Sequence, residues 1–127
     1  IGQTVRQINT TFPHWFCFNY LKYMDNEDAL PVDQHELIAL CAPRPVFFNG
    51  GTTSQWSDPY GIYLTAAAAS PVYELLGHTG LVMEDDKPQV DKAYIEGDLG
   101  YRYHEGGHTD APDWPAFFEF ARKYIEF

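Results

Sequence analysis

The sequence has few of the residues that mark a complete nucleophilic enzyme. Its three serines are Ser54, Ser57 and Ser70, and none of them stands in a Gly-x-Ser-x-Gly turn after a strand. It also has no His-Glu metal motif, no glycine-rich phosphate loop and no Cys-x-x-Cys pair. A free-standing serine hydrolase is therefore not encoded here, and no metal or organic cofactor is implied.

Basic residues are scarce as well. Eight Lys and Arg stand against 18 Asp and Glu, which gives a formal net charge of −10 and an isoelectric point of about 4.6. Nucleic-acid binding requires a basic face, and docking on an anionic membrane requires positive charge, so we expect neither partner. No apolar run approaches the ~20 residues of a membrane span.

Signals of export and of disulfide bonding are weak. Residues 1–4 have neither a basic nor an apolar stretch of the kind found in signal peptides, and they lack an initiator Met. We therefore expect the chain to be part of something longer. Cys17 and Cys41, the two cysteines, lie in apolar stretches, which favours buried free thiols over a disulfide.

Apolar and aromatic residues are abundant. Hydrophobic residues make up 45% of the chain and aromatic residues 17%, which excludes a disordered protein. The aromatic content favours core packing over a sugar-binding surface.

Local patterns predict alternating helices and strands. Asp33 caps a helix with Glu36 in a capping box, and the helix ends at residues 42–43. Residues 45–49 are bulky and apolar, which is typical of a buried parallel strand, and Gly50 and Gly51 end it. A helix over 60–69 is followed by a second short helix that begins at Ser70.

The last third of the chain predicts one more strand and one more helix. Residues 78–98 are irregular and acidic, as in an exposed excursion. Residues 99–104 form a second strand, parallel to the first, and a helix runs from residues 112–113 to the end of the chain. Two strands do not make a stable sheet. We interpret residues 1–127 as a single partial α/β domain, the carboxyl-terminal portion of a doubly wound parallel sheet.

His108 is the strongest candidate for chemistry. It follows Gly106 and Gly107 in a turn between the last strand and the last helix, where an α/β-hydrolase places its catalytic base. Glu105 and Asp110 lie close enough in sequence to orient an imidazole. The alternative is a surface histidine beside a helix amino terminus.

Trp56 and Asp58 follow the other predicted strand. In α/β-hydrolases the acid of the triad often comes at this point of the chain, which makes Asp58 a possible acid. Asp58 precedes Pro59, however, and capping of the next helix is the simpler role. Trp56 is either a platform for a sugar or a cover over the core. Because the carboxyl ends of parallel strands meet at one edge of a sheet, we predict that Trp56 and His108 flank the same pocket.

Several motifs resemble the carboxyl-terminal part of bacterial glucuronoyl esterases, carbohydrate esterase family 15. They lie at residues 12–16, 30–46, 55–59, 67–77 and 97–108, and the run 30–46 is the most specific. The resemblance implies an α/β-hydrolase that cleaves esters between lignin alcohols and the 4-O-methyl-glucuronic acid of xylan. It also implies a secreted or periplasmic enzyme with a Ser–His–acid triad.

By position, the resemblance makes His108 the catalytic base and Trp56 a glucuronate contact. The serine elbow and the acid that follows it would lie in the missing amino-terminal half of the same fold. Some bacterial members have an Asp two residues before the tryptophan, and this chain has Ser54 there. Two functions are therefore expected: an esterase fragment that is inactive alone, or a non-catalytic carbohydrate-binding or interaction module.

Overall fold

A small mixed sheet organises the molecule. The computed structural model describes residues 2–126 and contains strands β1 (Val46–Gly51), β2 (Ala93–Tyr94) and β3 (Leu99–His104) in the order β1-β3-β2. Strands β1 and β3 are parallel, with Val46 opposite Leu99 and Gly51 opposite His104. The predicted parallel pair is thus confirmed, although β1 continues through both glycines instead of ending at them.

Helices flank this sheet. They are α1 (Val5–Thr11), α2 (Gln34–Ala39), α3 (Pro59–Leu75) and α4 (Trp114–Ala121), with short 3₁₀ turns at Phe18–Tyr23, Glu27–Ala29, Gln55–Ser57 and Ala111–Asp113. The predicted capping box of α2 is present: Glu36 Oε2 accepts from the Asp33 amide at 3.1 Å. No helix in residues 2–126 is long and apolar enough to cross a membrane.

Helix α3 is continuous, and the predicted break at Ser70 is wrong. Pro71 lies inside the helix. On one side of it the Ser70 hydroxyl donates to the Ala66 carbonyl at 3.2 Å and accepts from the Leu81 amide at 2.9 Å. On the other side Tyr73 is fully buried, and its hydroxyl donates to the Arg44 carbonyl at 2.8 Å. These tertiary contacts outweigh the tendency of proline to end a helix.

Tyrosines fill the space between α3 and the sheet. The Tyr63 ring lies 5.2 Å from that of Tyr94 and 5.3 Å from that of Tyr101, and all three are buried. Leu81 and Ile95 are also buried. The prediction that residues 78–98 form an exposed excursion is therefore wrong at its two ends, because this segment supplies β2 and part of the core.

The end of the chain departs from the prediction too. Helix α4 ends at Ala121 rather than running to the terminus. The Lys123 ammonium then reaches back to donate to the carbonyls of Ile95, Glu96 and Gly97 at 2.6–2.9 Å. This contact fixes the last turn against the loop that leads into β3.

Both cysteines are free thiols, as predicted, but they are not buried. Cys17 is exposed and Cys41 is half-buried.

Candidate active site

Trp56 and His108 meet at one edge of the sheet. Each follows the carboxyl end of a strand, Trp56 after β1 and His108 after β3. Their ring centroids are 5.0 Å apart and their planes are inclined by 48°. Both side chains are exposed, Trp56 by 47%. The two rings therefore lie side by side at this edge. That they flank one pocket stays a prediction, because the groove described below is lined by Trp56 and not by His108.

The glycine turn before His108 is bound to the loop after β1. Gly106 has a φ of +130°, a conformation that favours glycine. Its carbonyl accepts from the Thr53 amide at 2.8 Å and the Thr53 hydroxyl at 2.9 Å, and its amide donates to the Thr52 hydroxyl at 3.0 Å. The two loops that carry Trp56 and His108 therefore form one unit.

His108 occupies the centre of a three-residue turn. The Thr109 amide donates to the Gly107 carbonyl at 3.0 Å, which brackets His108 between the two. Within residues 2–126 the imidazole has no hydrogen-bond or ion-pair partner. The side chain is thus held by its backbone and by Trp56, and both ring nitrogens are free to act on a bound molecule.

A buried polar cluster lies beneath this turn. His104 at the end of β3 and Asp113 before α4 are 1% and 2% exposed, and His104 Nδ1 is 2.8 Å from Asp113 Oδ2, a close contact without regular hydrogen-bond geometry. His104 Nε2 faces the Gly107 carbonyl at 3.0 Å. Asp113 also accepts from Asn49 Nδ2 at 2.7 Å and Arg102 Nε at 3.0 Å.

Local sequence patterns did not predict this cluster, because they place His104 only in a strand and Asp113 only at the opening of a helix. Arg102 and His104 stand two residues apart, and therefore on one face of β3, in a strand with otherwise apolar neighbours. An arginine and a histidine on one face of an interior strand are the signal that could have indicated a buried acidic partner.

Asp58 caps α3. It has a left-handed backbone with a φ of +50°, and its carboxylate accepts from the Gly61 amide at 3.1 Å. No hydrogen bond or ion pair joins Asp58 to His108 within residues 2–126. The structure therefore shows the capping role and does not bring the possible acid into contact with the candidate base.

The three serines have structural partners. Ser54 is 3% exposed. The Ser57 hydroxyl donates to the Ser54 carbonyl at 2.7 Å and lies 3.1 Å from the Ser54 hydroxyl. Ser70 is tied into α3, as described above. In the part of the chain that the structure describes, neither Glu105 nor Asp110 makes a hydrogen bond or ion pair with the His108 ring. The Asp110 carboxylate accepts from Asn49 Nδ2 at 2.9 Å, and Glu105 is exposed.

An open groove runs beside Trp56. It has a volume of about 430 Å³ and is lined by Trp56 and by residues that precede or belong to α1, namely Gly2, Gln3, Thr4, Gln7 and Thr11. The Gln3 amide donates to the Trp56 carbonyl at 3.1 Å, which holds this segment against the site. Residues 2–126 contain no group of three or more His, Cys, Asp and Glu side chains placed to hold a metal ion.

Comparison with known proteins identifies the family. The model of a family described as "Glucuronyl esterase, fungi" matches residues 2–77, which is more than half of the chain. A carbohydrate esterase from an unknown prokaryotic organism is 50% identical over 127 residues, covering 98% of this chain and 28% of that protein. The chain belongs to the glucuronoyl esterases of carbohydrate esterase family 15.

Relatives in fungi and solved bacterial structures agree with this assignment. A 4-O-methyl-glucuronoyl methylesterase of Wolfiporia cocos is 43% identical over 63 residues, half of this chain and 15% of that protein. A promiscuous family 15 esterase from a marine bacterial metagenome superposes with a TM-score of 0.89 and is 48% identical. The match covers 98% of this chain and 31% of the esterase chain. A glucuronoyl esterase from Teredinibacter turnerae has a TM-score of 0.89 and 40% identity, covering 98% and 30%.

This glucuronoyl esterase chain therefore corresponds to a carboxyl-terminal portion of an α/β-hydrolase fold, as predicted. It spans less than a third of the length of the relatives named here.

Proposed function

We propose that this chain is the His-bearing part of a serine carbohydrate esterase that hydrolyses 4-O-methyl-glucuronoyl esters between xylan and lignin alcohols. The observation that carries the proposal is the exposed His108 at the carboxyl edge of the sheet, 5.0 Å from Trp56 and without a polar partner in residues 2–126. Membership of the glucuronoyl esterase family supports the substrate class.

In this proposal His108 is the general base and acid. Its imidazole takes the proton of a serine hydroxyl as the serine attacks the ester carbonyl, and it returns that proton to the leaving alcohol. Water then repeats the sequence on the acyl-enzyme. An exposed imidazole that is fixed through its backbone but not through its nitrogens suits this role.

The nucleophile has to come from another part of the fold. The hydroxyls of Ser54, Ser57 and Ser70 are engaged elsewhere, as described above. Among residues 2–126, strand β1 pairs with β3 on one side only. Large apolar side chains are exposed outside the sheet, Phe18 by 90%, Leu75 by 84% and Leu40 by 75%. These surfaces fit a chain that docks on the nucleophile-bearing half of the sheet.

The acid is proposed to come from that half as well. Asp58 is committed to capping α3, and Ser54 stands where some bacterial relatives are expected to have an Asp. A carboxylate from the docked half would complete the triad on the free side of His108. Because xylan and lignin are extracellular polymers, we expect the intact enzyme to be secreted or periplasmic.

A chimera tests the proposal. Residues 1–127 replace the matching segment of the 50% identical carbohydrate esterase, and hydrolysis of benzyl glucuronate is measured. We expect turnover by the chimera, none by the 127-residue chain, and a loss of at least about 10⁴-fold in kcat for His108→Gln, since removal of one triad member costs about 10⁴ to 10⁶-fold.

His35→Gln serves as the matched control, because His35 lies on α2, outside the two loops that carry Trp56 and His108. Turnover that survives His108→Gln would refute the catalytic role. The second candidate, a carbohydrate-binding module, is favoured by the groove beside Trp56. It predicts that the 127-residue chain binds glucuronoxylan while the chimera stays inactive.

A further inference from the structure

We infer that buried His104 is a positioning residue that holds His108 in place through the carbonyl of Gly107. The inference rests on the proposed role of His108, although the positioning itself is measurable without catalysis. His104 does not touch the exposed surface that a substrate would occupy, since it is 1% exposed.

The Gly107 carbonyl oxygen is the point where two hydrogen bonds converge. His104 Nε2 approaches it at 3.0 Å from below, and the Thr109 amide approaches it at 3.0 Å from the turn. In sequence, these two donors stand on either side of His108. The orientation of the peptide that leads into His108 is therefore set by the His104 ring.

Chemistry fixes which ring nitrogen carries a proton. A carbonyl oxygen only accepts, so the Nε2 of His104 must be protonated for this contact to be a hydrogen bond. Nδ1 faces the carboxylate of Asp113 at 2.8 Å. Asp113 is in turn held by Asn49 and Arg102, so the ring is anchored to both long strands before it reaches the turn.

The region between Gly51, the His104 ring and the glycine turn is tightly packed. A Cβ built on Gly51 would lie only 2.6 Å from the Gly106 carbonyl and 2.8 Å from His104 Nε2. The end of β1, the His104 ring and the glycine turn are therefore packed directly on each other. A change in the length or direction of the side chain at position 104 is transmitted to the turn.

Two substitutions separate positioning from simple packing. In the His104→Gln variant, the side-chain amide nitrogen takes the place of Nε2 and keeps a donor for the Gly107 carbonyl. In the His104→Asn variant, the shorter side chain puts its amide nitrogen in the place of Nδ1 and keeps only the contact toward Asp113. Both variants remove the buried ring and differ by one methylene group. A purely structural role therefore predicts a slightly larger general loss of stability in His104→Asn, with no selective effect at Thr109.

The experiment is NMR on the 127-residue chain, with the chimera used in its place if the chain alone gives no dispersed spectrum. The readouts are hydrogen exchange at the Thr109 amide and the ring-current shift that Trp56 imposes on the His108 protons. We expect exchange at Thr109 about tenfold faster in His104→Asn than in His104→Gln, together with a smaller ring-current shift, because one hydrogen bond to Gly107 is lost. Melting temperatures of the two variants should fall by similar amounts.

Equal effects of the two variants at Thr109 and His108 would overturn the inference, as would unchanged exchange in both. A measurement on the unmodified chain covers the case in which neither variant folds. The ¹⁵N shift of His104 Nε2 should report a protonated, slowly exchanging nitrogen. An unprotonated Nε2 would overturn the inference equally. If the Thr109 and His108 signals behave as expected but the chimera shows no turnover, the result would count against the proposed function and not against the positioning role of His104.

Discussion

Gly51 and Gly107 lie face to face, the last residue of β1 against the turn that carries the candidate base. A Cβ on Gly51 would overlap the carbonyl oxygen of Gly107. Gly51 thus closes the distance between the strand that leads to Trp56 and the loop that holds His108.

Gly51→Ala should therefore push the turn away from β1. We expect a loss of about 1–3 kcal/mol in the free energy of unfolding, the cost of overpacking a close contact. In the chimera we expect a lower kcat as well, because His108 moves with the turn. Urea unfolding and steady-state kinetics provide the measurements. A fully active and fully stable variant would show that the turn tolerates a side chain beneath it.

Gly106 is constrained by its backbone rather than by space. With a φ of +130°, Gly106→Ala should cost about 1–3 kcal/mol. Gly107→Ala is the matched control, since φ there is not positive and a Cβ would make only an ordinary contact, 3.5 Å from the Thr53 hydroxyl. Urea unfolding curves of the two variants give the two losses in free energy of unfolding to compare. Similar losses would contradict the backbone explanation.

Local sequence patterns predicted the parts of the fold that local forces determine. The capping box at Asp33 and Glu36 and the strand over 99–104 depend on neighbouring residues, and both are present. The continuity of α3 through Pro71 depends on burial of Tyr73 and on the contact from Leu81, which lie outside any local window.

The candidate site was predictable to the same limited extent. Parallel strands bring their carboxyl ends together, so the meeting of Trp56 and His108 followed from topology. The contact between His104 and Asp113 depends on how α4 is placed against β3, and no spacing rule encodes that placement. Asp58 is the opposite case, because its role as a helix cap was readable from the following proline.

Alkaline pH should unfold the chain between about pH 10 and pH 12. Burial raises the pKa of Tyr63 and of Tyr73 to about 12, above the ~10 of an unfolded tyrosine. The stabilising contribution is complete below pH 10 and is lost as the pH rises through the folded value. Tyr73→Phe should lower stability by about 1 kcal/mol at neutral pH through the lost bond to Arg44 and should weaken this alkaline dependence.

Melting temperatures from pH 7 to pH 12 measure this effect. Tyr60→Phe is the control, because Tyr60 is 41% exposed and should leave the curve unchanged. A Tyr73→Phe curve parallel to that of the unmodified chain would contradict the assignment.

Acid pH should act through Asp98. Partial burial alone would raise its pKa, but a hydrogen bond from the Tyr124 hydroxyl and the contact of His78 Nδ1 at 2.9 Å outweigh burial and lower the pKa. Its contribution to stability is therefore present above ~pH 3.9, the value of an unfolded aspartate, and is lost as the pH falls through the folded pKa.

Asp98→Asn should accordingly cost about 1 kcal/mol at pH 6 and progressively less as the pH falls below 3.9. Urea midpoints at the two ends of this range show whether the difference shrinks. Asp86→Asn, at an exposed position in the same acidic region, should show no such dependence. A difference that stays constant with pH would exclude Asp98 as the group responsible.

Trp56 should contribute to ligand binding more than to folding. It is 47% exposed, lines the groove and lies against His108. Trp114 is 51% exposed but packs on Phe117 and Phe118 of α4, which makes Trp114→Ala a control matched in size and exposure. A sugar ring that covers half of the Trp56 face would bury enough apolar surface for about 1.4 kcal/mol, which corresponds to tenfold in affinity. We therefore expect Trp56→Ala to weaken the binding of methyl glucuronate to the chimera about tenfold. Trp114→Ala should leave this binding unchanged. Titration calorimetry measures both affinities. Equal losses in both variants would show that the exposed indole of Trp56 is not a sugar platform. The groove would then have to bind its ligand through its other lining residues alone, namely Gly2, Gln3, Thr4, Gln7 and Thr11.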